Sequence, residues 1–340
     1  MSAINKEMSS GIDLARSISC FLVVLLHVAG YGFYENGPNW FSANLIDSFT
    51  RVCVPVFIMI TGALLIRDEP SKAVKKITRV VVCIFFWSVF YTIVDGIKFN
   101  SILNWLTSII QTPQKYHLWY LYACIGFYIS IPVLRKFYIH SEKNTVYIIT
   151  ALWIIISCVP LIEKNTGFRM SDLLVKYQLN YSSLLFGYLL LGKLVYDACE
   201  KQLSKKALAL SLTLYVAFSL ITAVATQKWS DVNNKPDALF YSNLSPFVVV
   251  ASASFFSFLL LINKAMPSIH KVTKFISKLS LGVYCIHIVF LELFIKAFIK
   301  NSNKLNLNII ETALLAALVF LISIISVWIL QKIKPLRFIL

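Results

Sequence analysis

Two side chains in the first apolar run are chemically out of place there. Arg16 and His27 lie in RSISCFLVVLLH, with ten residues between them. Eleven steps of about 100° make three turns plus roughly 20°, so both side chains fall on one helix face. They stand about 16 Å apart along the axis, half the depth of a bilayer core. Ionisable groups inside a membrane are costly and point to function. A buried imidazole is the usual general base or acid near neutral pH. Arg51, in the second apolar run, is a cation with little room to reach an interface. The plain alternative to a functional role is that it pairs structurally with a helix terminus or a carboxylate. Arg16 lies near the end of its run, where anchoring is the plain alternative.

Two further histidines belong to apolar runs. His117 opens HLWYLYACIGFYISIPVLRKF, and His287 ends LSLGVYCIH. Either could be a core histidine bonded to a carbonyl. The segment RDEPSKAVKKITRV gathers Lys72, Lys75, Lys76 and Arg79 at a helix start. Such a cluster follows from the cytoplasmic bias of positive charge or docks a phosphate-rich ligand. A Gly-rich phosphate loop, GxSxG, HExxH and an Asp-rich metal motif are all missing, so neither nucleotide hydrolysis nor a metal site is expected.

The elements that must position these residues are membrane spans. The chain has 340 residues, 58% of them hydrophobic and 14% charged, which is too apolar for a soluble domain of this length. Ten spans are expected, at 12–34, 45–66, 77–95, 118–137, 145–162, 181–197, 206–226, 244–263, 279–298 and 308–331. The sixth is short and contains Gly187 and Gly192, so its support is weakest. The first run carries charge and lacks a small-residue cleavage site, so it is expected to stay as a span. The fold class is therefore an all-α polytopic membrane protein, one membrane-embedded domain over 1–340 with no separate soluble domain. An even count puts both termini on one side. With that side cytoplasmic, 21 of the 32 Lys and Arg residues lie there and 10 lie opposite, Arg51 being inside a span. This topology accounts for much of the net charge of +16 without nucleic acid. It also puts His27 and Arg51 at similar depth in the outer half of the membrane. The seven cysteines are scattered through apolar runs and read as free, buried, small hydrophobes. The outward stretches carry Trp105, Tyr116, Phe168 and Trp229, which suit the interface or a sugar groove.

Taken together, these residues resemble the acyltransferase-3 family of integral membrane acyltransferases. DLARSISCFLVVLLH is similar to its Arg-x10-His signature, and TRVCVPVFIMITGALL to its second-span pattern, normally closer to SR-VP-FF-SG. KKITRV resembles the basic segment that follows, HLWYLYACIGFYISIPVL the His-Leu-Trp stretch, and LSLGVYCIHIVF the late Leu-Ser-x-Gly-x-Tyr-x-x-His stretch. The likeness is nearest to enterobacterial common antigen and O-antigen O-acetyltransferases. One departure is Thr61 where the pattern has serine, and the extra hydrolase-like domain of some members is not expected here. The resemblance implies an O-acyltransferase of the bacterial inner membrane. It implies acetyl-CoA or another acyl-CoA as donor, a glycan or lipid-linked glycan as acceptor, membrane lipids as surroundings, and no metal. On that reading Lys72, Lys75, Lys76 and Arg79 take the nucleotide end of coenzyme A, and its arm passes Arg16. His27 is the base, and Arg51 holds the oxyanion or the acceptor. His117, Trp119, Tyr120, Tyr284 and His287 shape the acceptor site. The rival reading is a transporter or flippase of a lipid-linked sugar or small solute, which would use buried charges equally well. The inverted repeat and paired broken spans of such carriers are not seen.

Overall fold

The computed structural model describes residues 6–66, 71–166, 185–201, 204–265, 270–299 and 307–340. Phe168 lies outside these, and Lys72 lies in a helix but its side chain is outside the described residues. The helices are α1 Lys6–Glu35, α2 Trp40–Thr50, α3 Cys53–Leu65, α4 Ser71–Val94, α5 Ile102–Gln111, α6 Trp119–His140 and α7 Lys143–Ser157. They continue with α8 Val159–Thr166, α9 Gly187–Lys201, α10 Lys205–Asn233, α11 Pro246–Ala265, α12 His270–Ile299 and α13 Ile309–Leu330. Nine segments among the described residues are long and apolar enough to cross a membrane. The chain is thus an all-helical, multi-pass membrane protein. The expected span at 181–197 falls on α9, which is described from Gly187 and has 15 residues, about 22 Å of helix.

The side-chain pattern of α13 shows how a bilayer sorts residues. Leu314, Leu318, Leu321 and Ile325 are exposed at helical spacing, where lipid tails meet them. Thr312, Ala316, Val319 and Ser323 are buried on the other face. With lipid as apolar as leucine, helices associate through small residues and internal hydrogen bonds instead. Asn308 and Glu311 close a capping box at the start of this helix.

At the centre of the bundle stands α1, in contact with α2, α3, α11, α12 and α13. It runs parallel to α12, register by register. Arg16 bonds Ser277, Ser17 bonds the Thr273 carbonyl, Cys20 approaches the Ser280 carbonyl, and His27 meets His287. Arg16 and His27 therefore do share the face turned to α12. The expected second span divides into α2 and α3 at Arg51. Pro55 has no N–H to give the Arg51 carbonyl four residues back, so the ladder is interrupted there.

α3 and α9 touch backbone to backbone. A Cβ on Gly62 would run into the Leu189 backbone of α9, and one on Gly192 into the Met59 backbone of α3. The glycines that weaken α9 as an isolated span are thus what lets it dock. Gly192→Ala should cost about 1–3 kcal/mol of stability, whereas Gly30, with open space around its Cα, should gain up to about 1 kcal/mol as alanine. Thermal unfolding of both variants in one detergent checks the pair, and equal melting temperatures would contradict the close approach.

Candidate active site

Three histidines from distant parts of the chain meet. The His27 ring lies 5.2 Å from His287 and 6.4 Å from His117, and His117 and His287 are 5.3 Å apart, centroid to centroid. Tyr116 stands 5.4 Å from His27 in an edge arrangement. His117 and His287 are fully buried, and each is fixed through one nitrogen. His117 Nε2 pairs with the Cys285 carbonyl at 3.2 Å, and His287 Nδ1 with the Tyr284 carbonyl at 2.7 Å. A carbonyl only accepts, so those nitrogens carry the protons of neutral rings. That leaves His117 Nδ1 and His287 Nε2 as lone-pair acceptors, and both are buried without a partner among the described residues. His27, half-buried, has no hydrogen-bond partner among the described residues, so both of its nitrogens are free for chemistry. Among the described residues no group of His, Cys, Asp or Glu is arranged to hold a metal ion.

A cavity of about 470 Å³ opens beside this cluster. Arg16, Lys76, Arg79 and Lys278 line it, from three helices. Its walls are mostly apolar, with Val23, Phe57 and Leu281 among them, and Tyr120 and Tyr284 line it too. Val23 is one turn before His27, so the cavity leads from the cations toward the histidines without including them. Tyr284 is the partition. It lines the cavity, its ring is 5.6 Å from His117, and its hydroxyl donates to the His117 carbonyl.

The cations are held differently. Arg16 Nη1 donates to Ser277 at 3.1 Å, and Ser277 donates on to Asp13 at 2.6 Å. One of its five N–H donors is used in that bond. Arg79 donates to the backbone oxygens of Phe338 and Leu340, each at 2.9 Å. Lys76 lies 6.0 Å from the Tyr128 ring centre. Lys75 is exposed and turned away from the cavity. Thr61 lines the cavity, its hydroxyl bonded to the Phe57 carbonyl at 3.0 Å.

Arg51 stands apart from the cavity. It forms an ion pair with the fully buried Asp47 at 2.6 Å and lies 4.2 Å over the Tyr241 ring. The structural alternative raised for Arg51 thus has its carboxylate. Its Nε, however, is buried with no partner among the described residues. Trp119 is 38% exposed and lies outside the cavity, whereas Tyr120 lines it. His117 is buried among the histidines instead of opening a mouth.

Three groups escaped the reading of the sequence. Lys278 shares a helical stripe with Leu281 and Tyr284, a signal visible once that helix is extended toward its start. Asp47 precedes Arg51 by four residues, a spacing that pairs charges on a helix. Lys115 bonds Asp95 and Glu292 at 3.0 and 2.9 Å, tying the turn before His117 to α4 and α12. Burial disfavours its ammonium, but Glu292 and Asp95 outweigh that and hold its pKa above the ordinary lysine value. Sequence spacing gave no hint of this long-range triad.

A family model described as an acyltransferase domain matches residues 9–329. No curated protein and no solved structure matches the chain. With nearly its whole length covered, and with the Arg16–His27 face and the basic segment of α4 meeting at one cavity, the chain belongs to the acyltransferase-3 family of membrane acyltransferases.

Proposed function

We propose that this protein moves an acetyl or other short acyl group from acyl-CoA to a hydroxyl of a cell-envelope glycan or its lipid-linked precursor, such as common antigen or O-antigen. The membrane is the bacterial inner membrane, and the end of the bundle bearing Lys76, Arg79 and Lys278 faces the cytoplasm, where basic residues concentrate. The observation that supports this reading best is the cavity, cationic at one end and apolar along its length, which ends at the tyrosine covering the histidines. Phosphate groups fit the four cations, and a thin acyl-bearing arm fits the apolar walls.

On this reading His27 takes the proton of the acceptor hydroxyl as its oxygen attacks the thioester carbonyl. A carbon–oxygen bond forms, the carbon–sulfur bond breaks, and the leaving thiolate recovers the proton from His27. The products are an ester and free coenzyme A. His117 Nδ1 and His287 Nε2 accept hydrogen bonds from acceptor hydroxyls. Arg51, fixed by Asp47 and Tyr241, steadies the acceptor side. Tyr284 must turn aside for the thioester to reach His27, so it also keeps water from the thioester until an acceptor is present.

His27→Ala should lower glycan-dependent release of coenzyme A by about 10²-fold or more, and a well-inserted variant that still acylates glycan fully would overturn the assignment. Lys278→Ala should raise the KM for acyl-CoA roughly tenfold, the effect of one charge-assisted hydrogen bond, while Lys75→Ala leaves it nearly unchanged. Equal effects would mean that charge in general, rather than the cavity, governs binding. Tyr284→Ala should raise coenzyme A release in the absence of glycan several-fold, measured as free thiol, and no rise would remove the partition role.

A further inference from the structure

The walls of the cavity have an order along their length, and three helices agree on it. On α3, Val54, Phe57, Thr61 and Leu64 are half-buried and line the cavity, a stripe at helical spacing about 15 Å long. Leu64 marks the cationic end, one residue before α3 stops, and the next helix, α4, carries Lys76 and Arg79. Val54 marks the other end, three residues past Arg51. On α6, Tyr128 has its ring centre 6.0 Å from Lys76, and Tyr120 lies eight residues, about 12 Å, away from it along the helix. On α1, Arg16 and Val23 mark the same two ends. At the far end three rings form a row. Phe57 lies 6.2 Å from Tyr120, and Tyr120 lies 5.9 Å from Tyr284. Tyr284 is tied by its hydroxyl to the His117 carbonyl. Phe57, at the opposite side of the row, is a plain hydrocarbon ring. Past Phe57 the α3 wall continues for one turn, about 4.5 Å, to Val54.

A thioester carries two arms on its carbonyl carbon. The sulfur arm leads back to the cations. Tyr284 must yield for the carbon to meet His27, so the acyl tail is left with the side of the row that Phe57 closes. We infer that Phe57 sets the length of the acyl group, the space beside its ring as far as Val54 taking a methyl group and no longer chain. This inference rests on the acyl-transfer reading and narrows its donor to an acetyl thioester. The wall here is apolar, so length is read by volume. Each methylene with room to bury gains about fourfold in affinity, whereas one without room loses about tenfold or more. Phe57 is therefore a specificity-determining residue, apart from the histidines that would carry the proton.

The test is isothermal titration calorimetry on the detergent-solubilised chain with two thioethers, S-ethyl- and S-butyl-coenzyme A, beside coenzyme A itself. The ethyl group matches acetyl in carbon count. Thioethers have no carbonyl to attack, so binding is read apart from turnover. The wild type should bind the S-ethyl probe about tenfold or more tighter than the S-butyl probe. In Phe57→Ala that ratio should fall by about tenfold or more, since truncation at the cavity wall makes room for two methylenes. Phe57→Leu should move the ratio the same way by less, and it carries the test if the alanine variant does not fold. Leu64→Ala, about 10 Å along the same stripe, should leave the ratio within about twofold, whatever it does to coenzyme A binding. A wild type that binds both thioethers equally, a ratio unchanged in the Phe57 variants, or an equal shift in Leu64→Ala would each overturn the inference. In all three cases coenzyme A binding, and with it the acyl-transfer reading, would stand. A wild type that binds neither coenzyme A nor either thioether would remove that reading and the inference together.

Discussion

Two hydrogen bonds end on a single backbone oxygen, that of Cys285 in α12. The Tyr91 hydroxyl of α4 reaches it at 2.7 Å and His117 Nε2 at 3.2 Å. Inside a membrane, polar groups must find partners within the protein. By converging on this one mid-helix carbonyl, the two side chains bind α4, the turn before α6 and α12 into one frame around His27. The Lys115 ion pairs brace the same three segments close by. Remove this joint and the histidines lose their common position, because they come from residues 27, 117 and 287 of the chain.

The bundle separates its cations from its buried histidines by depth. Cations gather at one end, where they line a cavity. Unpartnered imidazole nitrogens sit further in, where water is scarce and an unmet acceptor is costly. A buried acceptor without a donor is what a hydroxyl-bearing substrate would satisfy.

Much of the fold was readable because long apolar runs have few alternatives. The ends of helices were not. α12 starts at His270 rather than near 279, and α10 runs on to Asn233 rather than 226, since helical turns continue past the apolar run on polar residues that hydropathy discards. That shortfall hid Lys278. The division at Arg51 was implicit in Pro55 but masked by the apolar residues on both sides. Within the candidate site, Arg16 and His27 were readable from type and spacing along α1, and Lys76 and Arg79 from the basic cluster at the start of α4. The meeting of His27 with His117 and His287 depends on helix packing, which local spacing does not encode. The docking of α9 was obscured for a related reason, as Gly187 and Gly192 lower its helical signal while allowing its close contacts with Trp153 and α3.

The partition proposed for Tyr284 would also set where the electric field of the membrane falls. A water-accessible cavity brings the potential of its own side deep into a bundle, so the voltage would drop mainly across the protein beyond Tyr284, on the side of the histidines. An elementary charge crossing 100 mV involves about 2.3 kcal/mol, and a proton reaching His27 from the far side would cross part of that drop. Proton transfer at His27, on the proposed mechanism, would thereby be exposed to the energised state of the membrane, although the transfer of an acyl group carries no net charge across it.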